Sequence, residues 1–306
     1  MTTSSDGESD ADRAHDGGHI RHHFGYTWGE TDGMVWLWND GGNYKRIDPA
    51  FREPLRALAR GERDPSAADP AVLEAIIVLA ADGYLEPGGE IRRLETPADI
   101  QLWPRLVATG VVTFLLCALL GAQWETIWSS PNSTGKTVVL VPFFVGATLL
   151  HELGHVVASR SYFEPSISIG RLNGVIPAVI TQTRDAWQCP RNVRIWISLA
   201  GPVVDIVVTL GLAIALLLFP GYSVLSSCIL VQLFRLLFVL NPLIDGDGYW
   251  LFVDVFGTHN LRNHAFRDLK RGRPTPKAAF ALTIVVFTGW FVAASGYFLG
   301  HTLGIL

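Results

Sequence analysis

Residues 137–150, TVVLVPFFVGATLL, run without a charge into His151-Glu152-Leu153-Gly154-His155. Two histidines four residues apart on a helix lie on one face, so both imidazoles can reach one metal ion. Glu152, between them, is placed to act on a water that the metal activates. Ionisable groups inside a membrane helix are costly to bury and are functional by default. The stretch therefore predicts a membrane helix that carries a metal site. The plainer alternative is two buried histidines bonded to neighbouring carbonyls.

The composition favours a membrane protein. The chain has 306 residues, 49% of them hydrophobic, and its mean hydropathy of +0.29 is high for a soluble globule. Residues 1–18 are acidic and rich in Ser, Gly and Asp, which predicts a disordered tail. No basic start leads into an apolar run there, so we expect no cleavable signal peptide. The three cysteines form no Cys-x-x-Cys pair, which predicts neither a disulfide framework nor a cysteine metal site.

Residues 19–97 read as a small mixed domain. Alternating apolar residues predict strands, and apolar residues at helical spacing predict helices. The pattern gives two strands, two helices and a final hairpin, at 34–38, 44–47, from Pro49, from Pro70 and at 84–94. This order predicts an α+β winged-helix-like domain.

Winged helices bind DNA in some proteins, but no helix here carries clustered Lys or Arg, so we expect no nucleic acid partner. The pattern is also similar to the small domains that hold leader peptides during the maturation of ribosomally made peptides. There, an extended peptide adds a strand to the edge of the sheet. The alternative is a domain that only stabilises or docks the rest of the chain.

The sequence after Arg105 predicts about five transmembrane helices, because each apolar run is long enough to cross a bilayer. These runs are 106–124, 137–159, 195–219, 223–240 and 278–299. Basic residues concentrate in two connections, 160–194 and 262–277, whereas 125–136 holds one and 220–222 none. The positive-inside rule then predicts a multi-pass protein of the cell membrane with a cytoplasmic N-terminal domain. It also places the ends of the second and fourth spans on the cytoplasmic side.

A catalytic zinc ion needs three protein ligands and one open position, and the two histidines supply only two ligands. The fourth predicted span ends in Asn241-Pro242-Leu243-Ile244-Asp245-Gly246-Asp247-Gly248. Backbone broken by Pro and Gly at this depth is tolerated where it lines a cavity. Asp245 and Asp247 are both candidates for the third ligand, and an ordinary Asp-Gly turn is the alternative for the whole segment.

The His-Glu-x-x-His motif on a membrane helix, followed by the Asn-Pro and Asp-Gly segment, resembles the site-2 protease family of intramembrane zinc metalloproteases. The chain is closest to the bacterial and archaeal branch of peptide zinc metalloproteases. Three further stretches resemble that branch: Asp185-Ala186-Trp187, Ala200-Gly201-Pro202 and Asp247-Gly248-Tyr249-Trp250. The resemblance covers roughly residues 103–300. It implies that residues 98–306 form a membrane-embedded zinc metalloprotease domain.

The resemblance implies roles for particular residues. Asp247 becomes the third ligand beside His151 and His155, and Asn241 orients the substrate or stabilises the oxyanion. It also implies a short membrane-associated β-hairpin within 166–180, whose edge receives the substrate as an added strand.

Two charged residues inside predicted spans are expected to pair. Asp205 and Arg235 lie in successive antiparallel helices, and each is costly in hydrocarbon without a partner. We therefore expect a structural ion pair rather than direct catalysis by either residue.

Together these features predict an all-α polytopic membrane protein with a short β-hairpin and the small N-terminal domain. The expected function is zinc metalloendopeptidase, with Glu152 as the general base and Zn²⁺ as the cofactor. The expected substrate is a small ribosomally made peptide or its leader, with the leader held by the N-terminal domain. Two alternatives are cleavage of a membrane-anchored signalling protein and a non-catalytic membrane binding or transport-associated protein.

Overall fold

The computed structural model describes residues 24–64, 68–129, 134–172, 176–258 and 261–302. The predicted tail at 1–18 lies outside these residues. The described chain is mostly helical, with a small sheet and three helices apolar and long enough to cross a membrane. Its described residues divide into two compact units, one within 1–29 and 33–94, the other within 30–32 and 95–306.

The described residues of the first unit form five strands and two α-helices. In chain order they are β1 (Phe24–Thr31), β2 (Met34–Trp38), β3 (Tyr44–Ile47), α1 (Arg52–Ala59), α2 (Pro70–Ala81), β4 (Glu86–Pro87) and β5 (Ile91–Arg93). An Asp-Pro pair marks the start of both helical segments. Asp48 accepts a hydrogen bond from the Ala50 amide at 2.9 Å, ahead of a short 3₁₀ turn that leads into α1, and Asp69 accepts one from the Ala71 amide at 2.8 Å.

The sheet order is β3-β2-β1-β4, and β5 pairs with β1 in parallel. Two details differ from the sequence-based prediction. Strand β1 was not among the predicted strands, because Gly25 and Gly29 interrupt its alternation of apolar residues. The predicted hairpin at 84–94 is also wrong, since β4 and β5 each pair with β1, β4 in antiparallel register.

Both β1 glycines allow a close approach. A Cβ at Gly29 would lie 2.1 Å from the Trp36 ring, and one at Gly25 would lie 2.3 Å from the backbone of Gly89. A glycine inside a strand commonly marks such a contact. Strand β1 is therefore the centre of the sheet, and its buried Tyr26 and Trp28 belong to the core of this unit.

The second unit is built from helices and one hairpin. Its elements are α3 (Leu102–Ala122), α4 (Trp124–Trp128), α5 (Thr134–Ser159), β6 (Ser166–Leu172), β7 (Ile176–Gln182), α6 (Arg191–Leu218), α7 (Ser223–Val239), α8 (Asp247–Phe256), α9 (Leu261–Lys270) and α10 (Pro276–Thr302). Helix α6 is central, because it packs against α3, α5, α7 and α8.

Three of these helices meet the length and hydropathy expected of a membrane span: Leu102–Ala122, Val138–Ser159 and Arg191–Leu218. Large apolar side chains of these helices lie at the surface, among them Phe114 and Val138, as expected of helices that contact lipid. Within the described residues α7 and α10 provide shorter apolar stretches, Ser223–Val239 and Pro276–Phe291.

Strands β6 and β7 form an antiparallel hairpin, as expected for the segment between α5 and α6. Ser166 pairs with Gln182 at its open end, and Ile167 pairs with Thr181. Strand β7 packs against α5, the helix that carries the His-Glu-x-x-His motif.

Candidate metal centre

Three side chains meet between α5 and the start of α8. His151 and His155 lie one helical turn apart on α5, and Asp247 is the first residue of α8. The Oδ2 atom of Asp247 lies 3.0 Å from Nε2 of His151 and 3.1 Å from Nε2 of His155. The two Nε2 atoms are 3.2 Å apart. These three residues could hold a metal ion.

The far side of each imidazole is bonded in a way that fixes the ring. Nδ1 of His155 lies 2.8 Å from the carbonyl oxygen of Ile197, which can only accept, so Nδ1 donates. Nδ1 of His151 lies 2.8 Å from Oδ2 of Asp205 and donates to that carboxylate. In neutral imidazoles this leaves both Nε2 atoms as lone pairs facing the carboxylate of Asp247. Such partners behind metal-binding histidines fix the tautomer and the ring orientation.

The three facing atoms have the spacing of zinc ligands. Bonds of 2.0–2.1 Å in a tetrahedral arrangement put neighbouring ligand atoms about 3.3 Å apart. Nitrogen and carboxylate oxygen are donors that zinc accepts, and two imidazoles with one carboxylate leave a fourth position open. Both the spacing of the three atoms and their chemical types therefore fit a zinc ion with one open position.

Gly201 of α6 provides the space beside these nitrogens. A Cβ at this position would lie 2.4 Å from Nε2 of His155 and 2.6 Å from Nε2 of His151. Any side chain there would fill the region between the two rings. The Ala200-Gly201-Pro202 stretch thus has a direct structural reason for its glycine.

Of the two candidate aspartates, Asp247 faces the histidines. Asp245 is 45% exposed in its side chain and pairs with Arg262 at 3.1 Å. In the metal-free state, burial raises the pKa of the Asp247 carboxyl, but the charge of a protonated His155 and hydrogen bonds from both protonated imidazoles lower it. A carboxylate also binds a metal ion in its ionised form.

Helix α8 is held at both ends, which fixes Asp247 in place. At its start, a Cβ on Gly248 would lie 2.3 Å from the Leu240 carbonyl, so this glycine permits close packing on the end of α7. At its end, Arg191 donates to the carbonyl of Asp254 at 2.7 Å, and Arg194 pairs with the Asp254 carboxylate at 2.7 Å. Cationic groups at a helix C-terminus satisfy its last carbonyls and complement its dipole.

Glu152 lies on the hairpin side of the site. It is buried, and its Oε2 accepts hydrogen bonds from the Thr181 amide at 2.8 Å and the Thr181 hydroxyl at 2.7 Å. Thr181 could not be identified from the sequence, because it lies 29 residues from Glu152 and belongs to no recognised motif.

The expected ion pair between Asp205 and Arg235 forms, and its surroundings add a second role. Oδ1 of Asp205 accepts from Arg235 and, at 3.0 Å, from Gln232, while Oδ2 bonds to His151. Arg235 also donates to the Ala147 carbonyl on α5 at 3.1 Å. Asp205 thus connects the buried cation to a candidate metal ligand, which the spacing of charges along the helices could not reveal.

Asn241 lies at the break between α7 and α8. Its Oδ1 accepts a hydrogen bond from the Leu243 amide at 2.9 Å, which shapes the turn. A catalytic role for Asn241 stays a prediction.

Cys117, Cys189 and Cys228 are all free thiols. Burial raises the pKa of the Cys189 thiol to about 12, which keeps this thiol protonated at neutral pH.

Comparison of the chain with protein-family models, curated proteins and solved structures finds no match. The resemblance to the site-2 protease family therefore rests on the sequence motifs alone.

Proposed function

We propose that the chain is a membrane zinc metalloendopeptidase, which hydrolyses peptide bonds at or in the membrane. The observation that carries this proposal is the meeting of two imidazole nitrogens and a carboxylate oxygen within 3.0–3.2 Å, with Glu152 adjacent in sequence to a ligand. His151, His155 and Asp247 would hold the ion, which when bound supplies a Lewis acid and lowers the pKa of a coordinated water.

Glu152 performs the proton transfers in this proposal. Its carboxylate takes the proton of the attacking water and delivers it to the leaving amine. Asn241 would stabilise the developing oxyanion or orient the substrate through its side-chain amide N–H, because its Oδ1 is bonded to Leu243.

The substrate must be extended at the cleavage site, because the carbonyls of a helix are engaged in hydrogen bonds. Within the described chain, β6 and β7 form a two-stranded sheet on the Glu152 side of the site, which supports addition of a substrate strand to the hairpin. In the first unit, β3 lies at one end of the strand order, which supports docking of a leader peptide to a winged-helix-like domain.

We also propose five transmembrane helices, with the N-terminal domain and the active-site side in the cytoplasm. Helix α7 has 17 residues and spans about 26 Å, close to the thickness of the hydrocarbon core. Helix α10 has 27 residues. The basic residues of the connections 160–194 and 262–277 support this orientation.

Metal content tests this proposal directly. Detergent-purified native protein is expected to hold about one zinc ion per chain, as a site with three protein ligands does. Asp247→Ala should lose the zinc ion, whereas Asp245→Ala, which removes an exposed carboxylate paired with Arg262, should keep it. Loss of zinc in Asp245→Ala alone would contradict the ligand assignment. Native protein without zinc after anaerobic loading would favour the non-catalytic alternative.

Glu152→Gln separates metal binding from catalysis. The change removes the proton acceptor but leaves all three ligands, so we expect native zinc content and loss of peptide cleavage. Cleavage at the native rate by this variant would contradict the role of Glu152.

The proposed substrate is a small ribosomally made peptide or its leader, and the alternative is a membrane-anchored signalling protein. Neighbouring genes separate the two. A short precursor-peptide gene beside an exporter gene supports maturation, whereas a gene for an anti-sigma factor supports signalling.

A further inference from the structure

Two hydrogen bonds join the β6–β7 hairpin to the proposed general base. The amide of Thr181 lies 2.8 Å from Oε2 of Glu152, and the hydroxyl of Thr181 lies 2.7 Å from the same oxygen. The hydroxyl is 3.3 Å from the Glu152 carbonyl, so its single hydrogen is better placed on the carboxylate. Thr181 and Glu152 are 6% and 7% exposed, so bulk water competes little for these two hydrogen bonds.

The direction of the Thr181 amide places this residue on an outer edge of the hairpin. Thr181 is opposite Ile167 of β6, but its N–H points to Glu152 and not to that strand. Backbone groups of an edge strand need a partner outside the sheet. At Thr181 that partner is the carboxylate of Glu152, so the hairpin edge and α5 meet at the base itself.

Both donors act on one oxygen of a flexible side chain. Hydrogen bonds to a carboxylate are about twice as strong as those between neutral groups. Among the described residues Oε1 of Glu152 has no hydrogen-bond donor, which leaves it for proton transfer. A side chain held on one oxygen and open on the other has the arrangement that a general base requires.

We propose that Thr181 is a positioning residue for peptide hydrolysis, in which its hydroxyl and amide hold the Glu152 carboxylate in place for proton transfer. This inference rests on the proposed function. Thr181 contacts none of His151, His155 and Asp247 by a hydrogen bond, so its effect falls on the base and leaves the ligands intact.

The test uses three variants of the full chain in detergent. Thr181→Val removes the hydroxyl but keeps the branched shape and the amide, and Thr181→Ser restores a hydroxyl. Thr113→Val is the matched control, because the Thr113 hydroxyl donates to the Thr109 carbonyl at 2.8 Å on α3, a helix that supplies no residue of the proposed site. Cleavage is followed with a mixture of internally quenched peptides with randomised central residues, beside zinc content.

We expect Thr181→Val to lower kcat by roughly 10- to 100-fold, as loss of a supporting hydrogen bond does, with KM changed by less than about threefold. Thr181→Ser should recover most of the native kcat, and zinc content should stay native in all three variants. Thr113→Val should cleave at the native rate.

A second measurement does not depend on activity. The Thr181 amide should exchange its hydrogen faster in Glu152→Ala than in native protein, because its acceptor is gone, and Thr113→Val should leave that exchange rate unchanged.

The outcomes distinguish this inference from the proposed function. If zinc-loaded native protein cleaves none of the peptides, the proposed function fails and the catalytic role of Thr181 fails with it. If native protein cleaves and Thr181→Val retains the native kcat, only the role of Thr181 is overturned. Loss of zinc in Thr181→Val would make Thr181 a structural residue, and equal exchange rates in native protein and Glu152→Ala would remove the contact itself.

Discussion

At Gly201 the backbone of α6 lies against both imidazoles, and one methyl group would occupy the space between them. Gly201→Ala is therefore expected to lower zinc affinity at least about tenfold, because the rings must move to admit a Cβ now 2.4–2.6 Å from them. Gly211→Ala is the matched control on the same helix, since a Cβ there meets nothing within 4 Å. Competition with a chelator measures both affinities, and equal values would contradict this account of the site.

Asp205 supports the site from behind His151. Asp205→Asn keeps the shape of the side chain but weakens the acceptor for His151 Nδ1, so the ring loses its fixed tautomer. We expect zinc affinity to fall by roughly 10- to 100-fold, as for other residues that orient a metal ligand. Circular dichroism checks that the helices persist, because the change also leaves Arg235 without its carboxylate.

The control for this change is Asp245→Asn, which alters an exposed aspartate paired with Arg262. It should bind zinc as the native protein does. Native zinc affinity in Asp205→Asn would show that the 2.8 Å contact between Asp205 and His151 does not support the metal site.

The histidines and Glu152 could be predicted because their spacing along one helix already places them together. Spacing left Asp245 and Asp247 open, and only the resemblance favoured Asp247. Thr181 and Asp205 could not be assigned to the site, because their contacts cross 29 and 54 residues of sequence and depend on how helices and strands pack. Local patterns carry no record of such contacts.

At the scale of elements, the close packing of α5 on α6 places the motif against Gly201. A Cβ at Gly154 would lie 2.8 Å from the Ala200 carbonyl oxygen. Small residues let membrane helices approach closely, and here the small residue is inside the motif itself. The His-Glu-Leu-Gly-His stretch thus specifies both the ligands and the distance between two helices.

Gly154→Ala is expected to lower the free energy of unfolding by about 1–3 kcal/mol, because the added methyl group overpacks the interface between α5 and α6. Gly146→Ala on the same helix is the control, since a Cβ there meets nothing within 4 Å. That change should be neutral or stabilising, because alanine favours a helix over glycine by about 1 kcal/mol. Thermal melts in one detergent compare the two, and equal melting temperatures would contradict the close packing.

The elements of the first unit were predicted with mixed success for a physical reason. Residues 34–38 and 44–47 alternate or combine apolar residues in the usual way, and both are strands. Strand β1 contains two glycines that allow close tertiary contacts but interrupt the alternation of apolar residues, so its sequence predicts a strand only weakly. The partner of β5 was not predictable either, because a parallel pair with β1 is a non-local choice.

At the scale of the whole molecule, the geometry of the candidate metal centre bears on the proposed number of membrane crossings. Near its start, α6 contacts His155, because the Ile197 carbonyl accepts a hydrogen bond from this histidine. From Ile197 the helix continues to Leu218, about 32 Å further along its axis. Asp247 nevertheless lies 3.0 Å from His151, so the chain has to return over that distance between α6 and α8. Helix α7, at about 26 Å, is the element available for the return.

This return supports a crossing by α7 and, with α10, the proposed total of five spans. The prediction is that Lys270, at the exposed end of α9, lies on the cytoplasmic side. Three spans alone would leave it outside, since the chain would not come back after α6. A Lys270→Cys variant in a Cys117→Ala background tests this, because Cys117 is the exposed native thiol.

Intact cells separate the two topologies with a membrane-impermeant maleimide. Five spans predict that Lys270→Cys reacts only after the cells are opened. A cysteine replacing Gly221, in the connection between α6 and α7, should react from outside and serves as the accessible control. Labelling of Lys270→Cys in intact cells would place α9 outside. The short helix α8, which begins at Asp247, directly precedes α9 in the chain. The same result would therefore require the proposed metal centre to open to the outer side of the membrane.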